Sequence, residues 1–130
     1  QAKLARLENN LSLLEEYAAL TKKAFLSNPT VQGATLHYLV ESIEIIIDIA
    51  NHLLADRGVS AANYYDTILQ LGKAKIVPLV FAQRHADMTK FRNLIVHVYM
   101  AVDVPKVYRM LRTAPKTFRQ FAGYFEKAIA

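Results

Sequence analysis

The fold is decided by residues 36–54, which read LHYLVESIEIIIDIANHLL. Charged and histidine side chains recur at steps of three or four residues and fall within about 80° of arc on one helical face. The rest of the circumference is apolar, and a helix that is apolar nearly all round is normally buried. We therefore predict a central buried helix with one polar seam, formed by His37, Glu41, Glu44, Asp48 and His52.

Three interpretations of this polar seam stay open from the sequence. A solvated stripe is the ordinary one, and the wall of an active cleft, with Asp48 and His52 as candidate residues, is the second. The third is a metal site, since imidazole and carboxylate groups at helical spacing can ligate a cation. Bundle metal sites of the di-iron kind use Glu-x-x-His motifs from two helices. No Glu of this chain is followed by His three residues later, so we predict neither a metal nor a cofactor.

Apolar residues at three-four spacing continue on both sides of this segment, and turn signals separate the resulting helices. Thr30, Ser60 and Asp103 are candidate N-caps, and Thr113 with Pro115 repeats the signal of a helix start. No stretch shows the period of two that a strand requires. The sequence predicts an all-α, up-down bundle of four main helices plus short C-terminal helices, in a single domain of residues 1–130. The predicted helices cover about residues 3–27, 30–56, 61–71, 77–100, 103–112 and 113–129.

Composition excludes several classes of protein. The 130 residues contain no cysteine, which excludes disulfides and thiolate metal sites. No apolar run approaches the about 20 residues that a membrane helix needs. Residues 3–16 are amphipathic and carry three acidic residues, unlike a signal peptide. We predict a cytoplasmic protein with no membrane association.

Charge is distributed unevenly along the chain. Residues 1–72 hold five Lys/Arg and eight Asp/Glu, a net charge of −3. Residues 73–130 hold eleven Lys/Arg and three Asp/Glu, a net charge of +8. This asymmetry suggests an anionic partner for the C-terminal half, of which nucleic acid is the commonest. A basic solvated surface is the other explanation of the same asymmetry.

The segment most informative about chemistry is residues 91–99, FRNLIVHVY, followed by Asp103. An Arg and a His five positions apart are common by chance, so the composite carries the information: aromatic-Arg-Asn, apolar residues, Val-His, one residue, then Tyr. This composite resembles the Arg-x4-His-x-Tyr signature of HepT-like proteins of the HEPN superfamily. The resemblance extends to residues 47–52, 64–69 and 75–78, and it covers roughly residues 30–110.

The resemblance implies an endoribonuclease that cleaves RNA without a metal. His97 is then the general base or acid, because an imidazole with an unperturbed pKa of about 6.5 can accept or donate a proton near neutral pH. Arg92 is the transition-state clamp, because a guanidinium can hold two phosphate oxygens. Asn93 positions the phosphate or orients His97, while Lys90 and Arg84 are candidate contacts to the RNA backbone.

The resemblance also implies partners. HepT-like toxins are neutralised by a minimal nucleotidyltransferase antitoxin, which transfers AMP to the motif tyrosine, here Tyr99. On a regular helix Arg92 and His97 lie about 140° apart, so either the helix frays, the arginine reaches round, or the site spans two protomers. The resemblance favours the third explanation, a homodimer whose paired motifs line one cleft. The other tyrosines, Tyr64 and Tyr65 among them, are interpreted as packing residues.

Two rival interpretations of the motif accompany this one. Without the resemblance, Arg92 is a surface ion-pair partner and His97 a half-buried histidine with its hydrogen bonds satisfied. Within the superfamily, the alternative is a non-catalytic HEPN module that presents a substrate to a partner nucleotidyltransferase. Such modules generally lack the full Arg-Asn and His-x-Tyr set that residues 92–99 contain.

Overall fold

The computed structural model describes the backbone of residues 2–98 and 103–130, and the side chains of these residues except 94–98. Within these ranges the chain forms seven α-helices and no strand, which confirms the predicted all-α bundle. None of the described helices combines the length and the apolar character needed to cross a membrane. The helices are α1 (Ala2–Ala18), α2 (Lys22–Leu26), α3 (Pro29–Ala55), α4 (Tyr64–Lys73), α5 (Leu79–His85), α6 (Met88–Val98) and α7 (Val104–Ile129).

The centre of the bundle is α3, as the pattern of residues 36–54 predicts. It packs against α1, α2, α4, α6 and α7. Its residues Leu39, Ile46 and Ala50 have no exposed surface. Because burying one Leu or Ile side chain contributes about 1.5–3 kcal/mol, the apolar surface of α3 holds the surrounding helices in place.

One hydrophobic core joins the helices of the described chain. Buried side chains of α1–α5 and α7 form a single cluster, against which Met88 and Phe91 of α6 pack. Thr89 of α6 is also buried. The N-terminal half of α6 is therefore anchored to the core directly before Arg92 and Asn93.

The C-terminal part differs from the prediction, since it forms one long helix instead of two short ones. α7 continues through Pro115, which is itself buried. A proline inside a helix removes a hydrogen bond and costs about 3 kcal/mol or more. The apolar residues on both sides of it share one face, and Leu111, Phe118, Phe121 and Phe125 are all buried. Burial of this continuous face outweighs the cost, whereas a break would turn half of it away from the core.

Two of the predicted helices are each divided in two. α1 and α2 take the place of the first, with Thr21 as the N-cap of α2. Tyr108 of α7 fixes the turn between them, since its hydroxyl donates to the carbonyl of Leu20 at 2.7 Å. α5 and α6 take the place of the fourth, and Thr89 in the first turn of α6 donates from Oγ1 to the carbonyl of Ala86 in the preceding turn at 3.0 Å. Hydroxyl groups offer the backbone alternatives to helical hydrogen bonds that apolar spacing does not reveal.

The caps of two helices lie at other residues than predicted. Asn28 caps α3 instead of Thr30, and its side-chain oxygen accepts the backbone N–H three residues later at 3.1 Å. Asn63 caps α4 instead of Ser60, with the equivalent distance at 2.8 Å. Asn, Ser and Thr are all favoured N-caps, so each loop contains more than one candidate. Asp103 is confirmed as the N-cap of α7.

Gly72 allows α4 and α5 to lie very close together. A Cβ atom at this position would lie 2.8 Å from Cβ of Ala82 and 3.1 Å from Cα of Leu79. Any side chain there would therefore push α5 away from α4. The helix predicted over residues 61–71 ends before Gly72, but α4 continues to Lys73, and the glycine serves the packing of the two helices.

Candidate functional site

α6 positions Arg92 against α3 and α4, with only 17% of its side chain exposed. Its Nη1 donates to Oδ1 of Asn93 at 3.2 Å, and its Cζ lies 5.1 Å from the ring centre of Tyr64. Its Nη2 lies 3.8 Å from Oε2 of Glu44, beyond hydrogen-bond distance. The buried Nε has no hydrogen-bond partner among the described residues. A largely desolvated guanidinium with N–H groups not taken up by these neighbours is suited to an anion with several oxygens, such as phosphate.

The contact between Arg92 and Glu44 joins the polar seam of α3 to the motif of α6. Glu41, one turn earlier on α3, faces α1 instead. Its carboxylate accepts from Arg6 at 2.9 and 3.1 Å and from Asn10 at 2.9 Å. These hydrogen bonds, that of Arg6 before that of Asn10, lower the pKa of Glu41 below its usual value. Glu41 is thus a structural residue, and Glu44 is the member of the polar seam that contacts the candidate site.

Asp48 and His52, the predicted cleft wall, are both exposed but line different grooves. Asp48 lies in a groove of about 540 Å³ that it shares with Arg6 and Glu44. His52 lies in a groove of about 470 Å³ formed with the start of α1 and the end of α7. The structure therefore brings Asp48, but not His52, into the groove of the glutamate that contacts Arg92.

The geometry of the polar seam does not support a metal site. Among the described residues, no three His, Asp or Glu side chains are grouped as a metal ion requires. Nε2 of His37 lies 3.5 Å from Glu41, whose carboxylate already accepts hydrogen bonds from Arg6. The seam carries a local ion-pair network at this end and an exposed surface further along α3.

Lys90 and Arg84, the predicted contacts to an RNA backbone, are both exposed. Nζ of Lys90 lies 3.1 Å from Oδ1 of Asp87 and 5.6 Å from the ring centre of Tyr65. With both partners 71% exposed, this ion pair contributes little to stability, so Lys90 can exchange it for a phosphate. Arg84 lies on α5 beside His85, whose pKa is lowered first by burial and then by the charge of Arg84.

A groove beside Arg92 was not predicted from the sequence. It has a volume of about 490 Å³ and is lined by Asn63, Tyr64, Tyr65, Thr89, Lys90 and Asn93. Tyr64 and Tyr65 are each 39% exposed and lie outside the hydrophobic core, so their interpretation as packing residues is wrong. Adjacent residues of a helix point about 100° apart, and two neighbouring tyrosines in an amphipathic helix are therefore a signal that one ring at least is exposed.

The backbone of His97 lies in α6, while its side chain, and the whole of Tyr99, fall outside the described residues. α6 continues without a break from Arg92 through His97 to Val98. The continuous backbone therefore gives no support to fraying of the helix as the way in which the arginine and the histidine would share a site. Two explanations are left: the reach of the arginine side chain, and a site shared by two protomers.

Comparison with known proteins identifies the family. The family described as ribonuclease HepT-like matches residues 7–125 of the chain. The chain belongs to the HepT-like ribonuclease family. The matched range contains Arg92, Asn93, His97 and Tyr99, so the family inferred from residues 91–99 is confirmed. No curated protein sequence matches this HepT-like chain significantly.

Solved structures share the fold of this HepT-like chain. A toxin–antitoxin crystal structure with AMP-PNP is similar at a TM-score of 0.86 and 19% identity, covering 97% of this chain and 96% of that one. The tri-AMPylated Shewanella oneidensis HEPN toxin in complex with MNT antitoxin is similar at a TM-score of 0.86 and 20% identity, over 97% and 95%. A protein of Thermus thermophilus is similar at a TM-score of 0.73 and 20% identity, over 92% and 98%. At these identities the likeness establishes the fold, which is that of HEPN toxins.

Proposed function

We propose that this HepT-like protein is a metal-independent endoribonuclease and the toxin of a toxin–antitoxin pair. The observation that carries the proposal is the state of Arg92. Its guanidinium is largely buried, its ion pair with Glu44 is long, and its Nε lacks a partner among the described residues. Burying a cation without a strong partner is unfavourable, so the position suits an anion that arrives from outside. Membership of a ribonuclease family supports an RNA phosphate as that anion.

In the proposed reaction the ribose 2′-oxygen attacks the adjacent phosphorus, and the 5′-oxygen of the next nucleotide leaves. His97 accepts the proton of the 2′-hydroxyl, and the leaving 5′-oxygen takes up a proton from the imidazolium or from water. One P–O bond forms as the other breaks, which leaves a 2′,3′-cyclic phosphate. Arg92 holds the two non-bridging oxygens, on which negative charge increases in the transition state.

Two neighbours position the guanidinium in this proposal. Asn93 accepts from Nη1 at 3.2 Å and so orients the plane of the guanidinium. Glu44 faces Nη2 at 3.8 Å, close enough to attract the cation in the free protein and too far to compete with a bidentate phosphate. Lys90 and Arg84 add contacts to the RNA backbone, whose strength falls with salt.

The proposed active form is a homodimer, in which the motifs of two protomers line one cleft. A regular α6 separates Arg92 and His97 by about 140°, and a second protomer supplies the missing partner for each. The proposed regulator is a minimal nucleotidyltransferase antitoxin that transfers AMP to Tyr99. A structural relative that is a tri-AMPylated HEPN toxin with MNT antitoxin supports this assignment. The AMP phosphate would add negative charge and bulk near Arg92 and block the phosphate position.

The catalytic proposal is tested by RNA cleavage in EDTA with the purified chain, His97→Ala and His37→Ala. His37 is an exposed histidine away from the motif, so His37→Ala is the matched control. We expect wild type and His37→Ala to cleave equally. We expect His97→Ala to lose about 10²-fold or more of the rate, because general acid–base catalysis contributes that much.

Two outcomes contradict the catalytic proposal. Cleavage that stops in EDTA would refute metal independence, and equal cleavage by wild type and His97→Ala would refute the role of the histidine. Binding of RNA without any cleavage by wild type would instead favour the non-catalytic HEPN module.

The antitoxin proposal is tested by co-expression with the partner nucleotidyltransferase. We expect intact-mass spectrometry to find AMP on wild type and not on Tyr99→Phe, and Tyr99→Phe to arrest growth despite the partner. A variant that is still neutralised and carries AMP at another residue would refute the role of Tyr99.

A further inference from the structure

Tyr64 and Tyr65 form the first turn of α4 at the edge of the groove beside Arg92. The helix is anchored to the core by other residues, since Ile68 and Leu71 have no exposed surface. The two tyrosine rings are therefore not needed to hold α4. Their exposed surface faces a concavity that also contains the amide of Asn93.

Each of the two rings has its own cation. Cζ of Arg92 lies 5.1 Å from the ring centre of Tyr64, and Nζ of Lys90 lies 5.6 Å from that of Tyr65. Proteins that bind single-stranded nucleic acid combine aromatic rings, on which bases stack, with basic side chains, which contact the phosphates. The groove brings both kinds of group together within one volume of about 490 Å³, in the range of small-molecule sites.

We propose that Tyr64 and Tyr65 form a stacking subsite for an unpaired RNA base, next to the phosphate held by Arg92. The assignment rests on the proposed function for the position of that phosphate. Arg92 links the two parts of the proposed site, because its guanidinium lies beside the ring of Tyr64 and is also the proposed ligand of the phosphate. Lys90 is 71% exposed and can leave the ring of Tyr65 when a base stacks there. The amide of Asn93 can then donate to or accept from the edge of the base.

The subsite makes the protein selective for single-stranded RNA. A base inside a duplex is covered on both faces by its neighbours, so it cannot reach an aromatic ring without unstacking. Stacking is tolerant of sequence because every base has a π-face. We therefore expect recognition of unpaired segments, with little preference for one base.

The test measures the affinity of the His97→Ala chain for a fluorescein-labelled, unstructured RNA of mixed sequence, at fixed salt. We expect Tyr64→Ala and Tyr65→Ala in this background each to weaken binding about tenfold, and Tyr64→Phe and Tyr65→Phe to restore it. Val80→Ala is the control, since Val80 is an exposed apolar residue of α5 outside the groove. Tyr64→Leu keeps the apolar bulk and replaces Tyr64→Ala if that variant does not fold.

An abasic series separates stacking from a general structural effect. Replacing the bases of the labelled RNA with abasic residues should weaken binding to the chain with both tyrosines and have no further effect on the double variant Tyr64→Ala/Tyr65→Ala. The duplex form of the same RNA should bind the chains with and without the tyrosines equally. It should bind the chain with both tyrosines more weakly than the single-stranded RNA does. Affinity that does not depend on the tyrosines, or abasic effects that persist without them, would overturn the subsite.

The two proposals fail in different ways. Tyrosine-dependent binding of RNA by a wild-type chain that does not cleave would refute the catalytic proposal alone. Cleavage of RNA with tyrosine-independent binding would refute the subsite alone. A wild-type chain that does not bind the single-stranded RNA at all would refute both.

Discussion

Two arginines approach the polar seam of α3 one turn apart, and their contacts differ. Arg6 of α1 is 64% exposed and donates two hydrogen bonds to Glu41, at 2.9 and 3.1 Å. Arg92 of α6 is 17% exposed and comes no closer to Glu44 than 3.8 Å. The exposed arginine is thus well paired and the buried one is not, which is the reverse of what stability alone favours.

The difference separates a structural ion pair from a binding position. Arg6 and Glu41 satisfy each other, with Asn10 as a further donor, and they link α1 to α3. Arg92 is held by an adjacent amide and an aromatic ring, contacts that fix its direction without using up its charge. A sequence of charged residues at helical spacing cannot show this distinction, because it depends on which helix lies opposite each carboxylate.

The largest expected effect is on RNA cleavage by variants of the two arginines. We expect Arg92→Ala to lower the cleavage rate about 10²–10³-fold, as removal of one preorganised donor to a developing charge does. Arg92→Lys should restore little of the rate, because an ammonium lacks the planar fork. Arg6→Ala should cleave as wild type. Equal losses for Arg6→Ala and Arg92→Ala would abolish the distinction between the two arginines.

A smaller effect is expected on the free energy of unfolding, where replacement of the two arginines should act in opposite directions. Arg92→Met removes a poorly paired, largely buried cation, so the free energy of unfolding should stay unchanged or rise by about 1 kcal/mol. Arg6→Met should lower it, because Glu41 loses two hydrogen bonds. Urea unfolding at neutral pH measures both. If Arg92→Met were the more destabilised variant, Arg92 would be a structural residue.

The smallest effect concerns stability in acid. The pKa of Glu41 is lowered from 4.5 by the hydrogen bonds of Arg6 and Asn10. A carboxyl group whose pKa is lower in the folded state contributes stability above its unfolded pKa, and this contribution is lost as the pH falls through the folded pKa. Stability should therefore fall below about pH 4.5 less steeply in Glu41→Gln and in Arg6→Gln than in wild type. Identical slopes in urea unfolding at a series of acid pH values would contradict this.

Much of the fold follows from the pattern of α3. The apolar residues of the segment from Leu36 to Leu54 recur so regularly that a central buried helix is the one arrangement that covers them. The C-terminal helix is harder to predict, because Pro115 is a local stop signal that only the burial of Phe118 and Phe125 against other helices overrides. The break before α2 depends on Tyr108, a residue far along the chain whose hydroxyl fixes the turn.

The residues of the site that are close together in the sequence can be predicted from it. The contacts of the site between distant segments cannot. Arg92 and Asn93 are recognisable from residues 91–99 alone, and the structure places them together. The contact with Glu44 and the groove at Tyr64 connect segments that are distant in sequence. No local periodicity encodes such contacts, which arise from the packing of α3, α4 and α6 around one core.

Gly72 has a consequence for the groove beside Arg92. It lies at the opposite end of α4 from Tyr64, about 12 Å along the helix axis at 1.5 Å per residue. Because a Cβ at Gly72 would lie 2.8 Å from Cβ of Ala82, an added methyl group would increase the distance between α4 and α5. If α4 tilts to make room, its N-terminal end moves as well, and that end carries Tyr64. A substitution that has no contact with RNA would then change the width of the groove. The close approach of α4 and α5 at Gly72 thus bears on a groove that the glycine itself does not line.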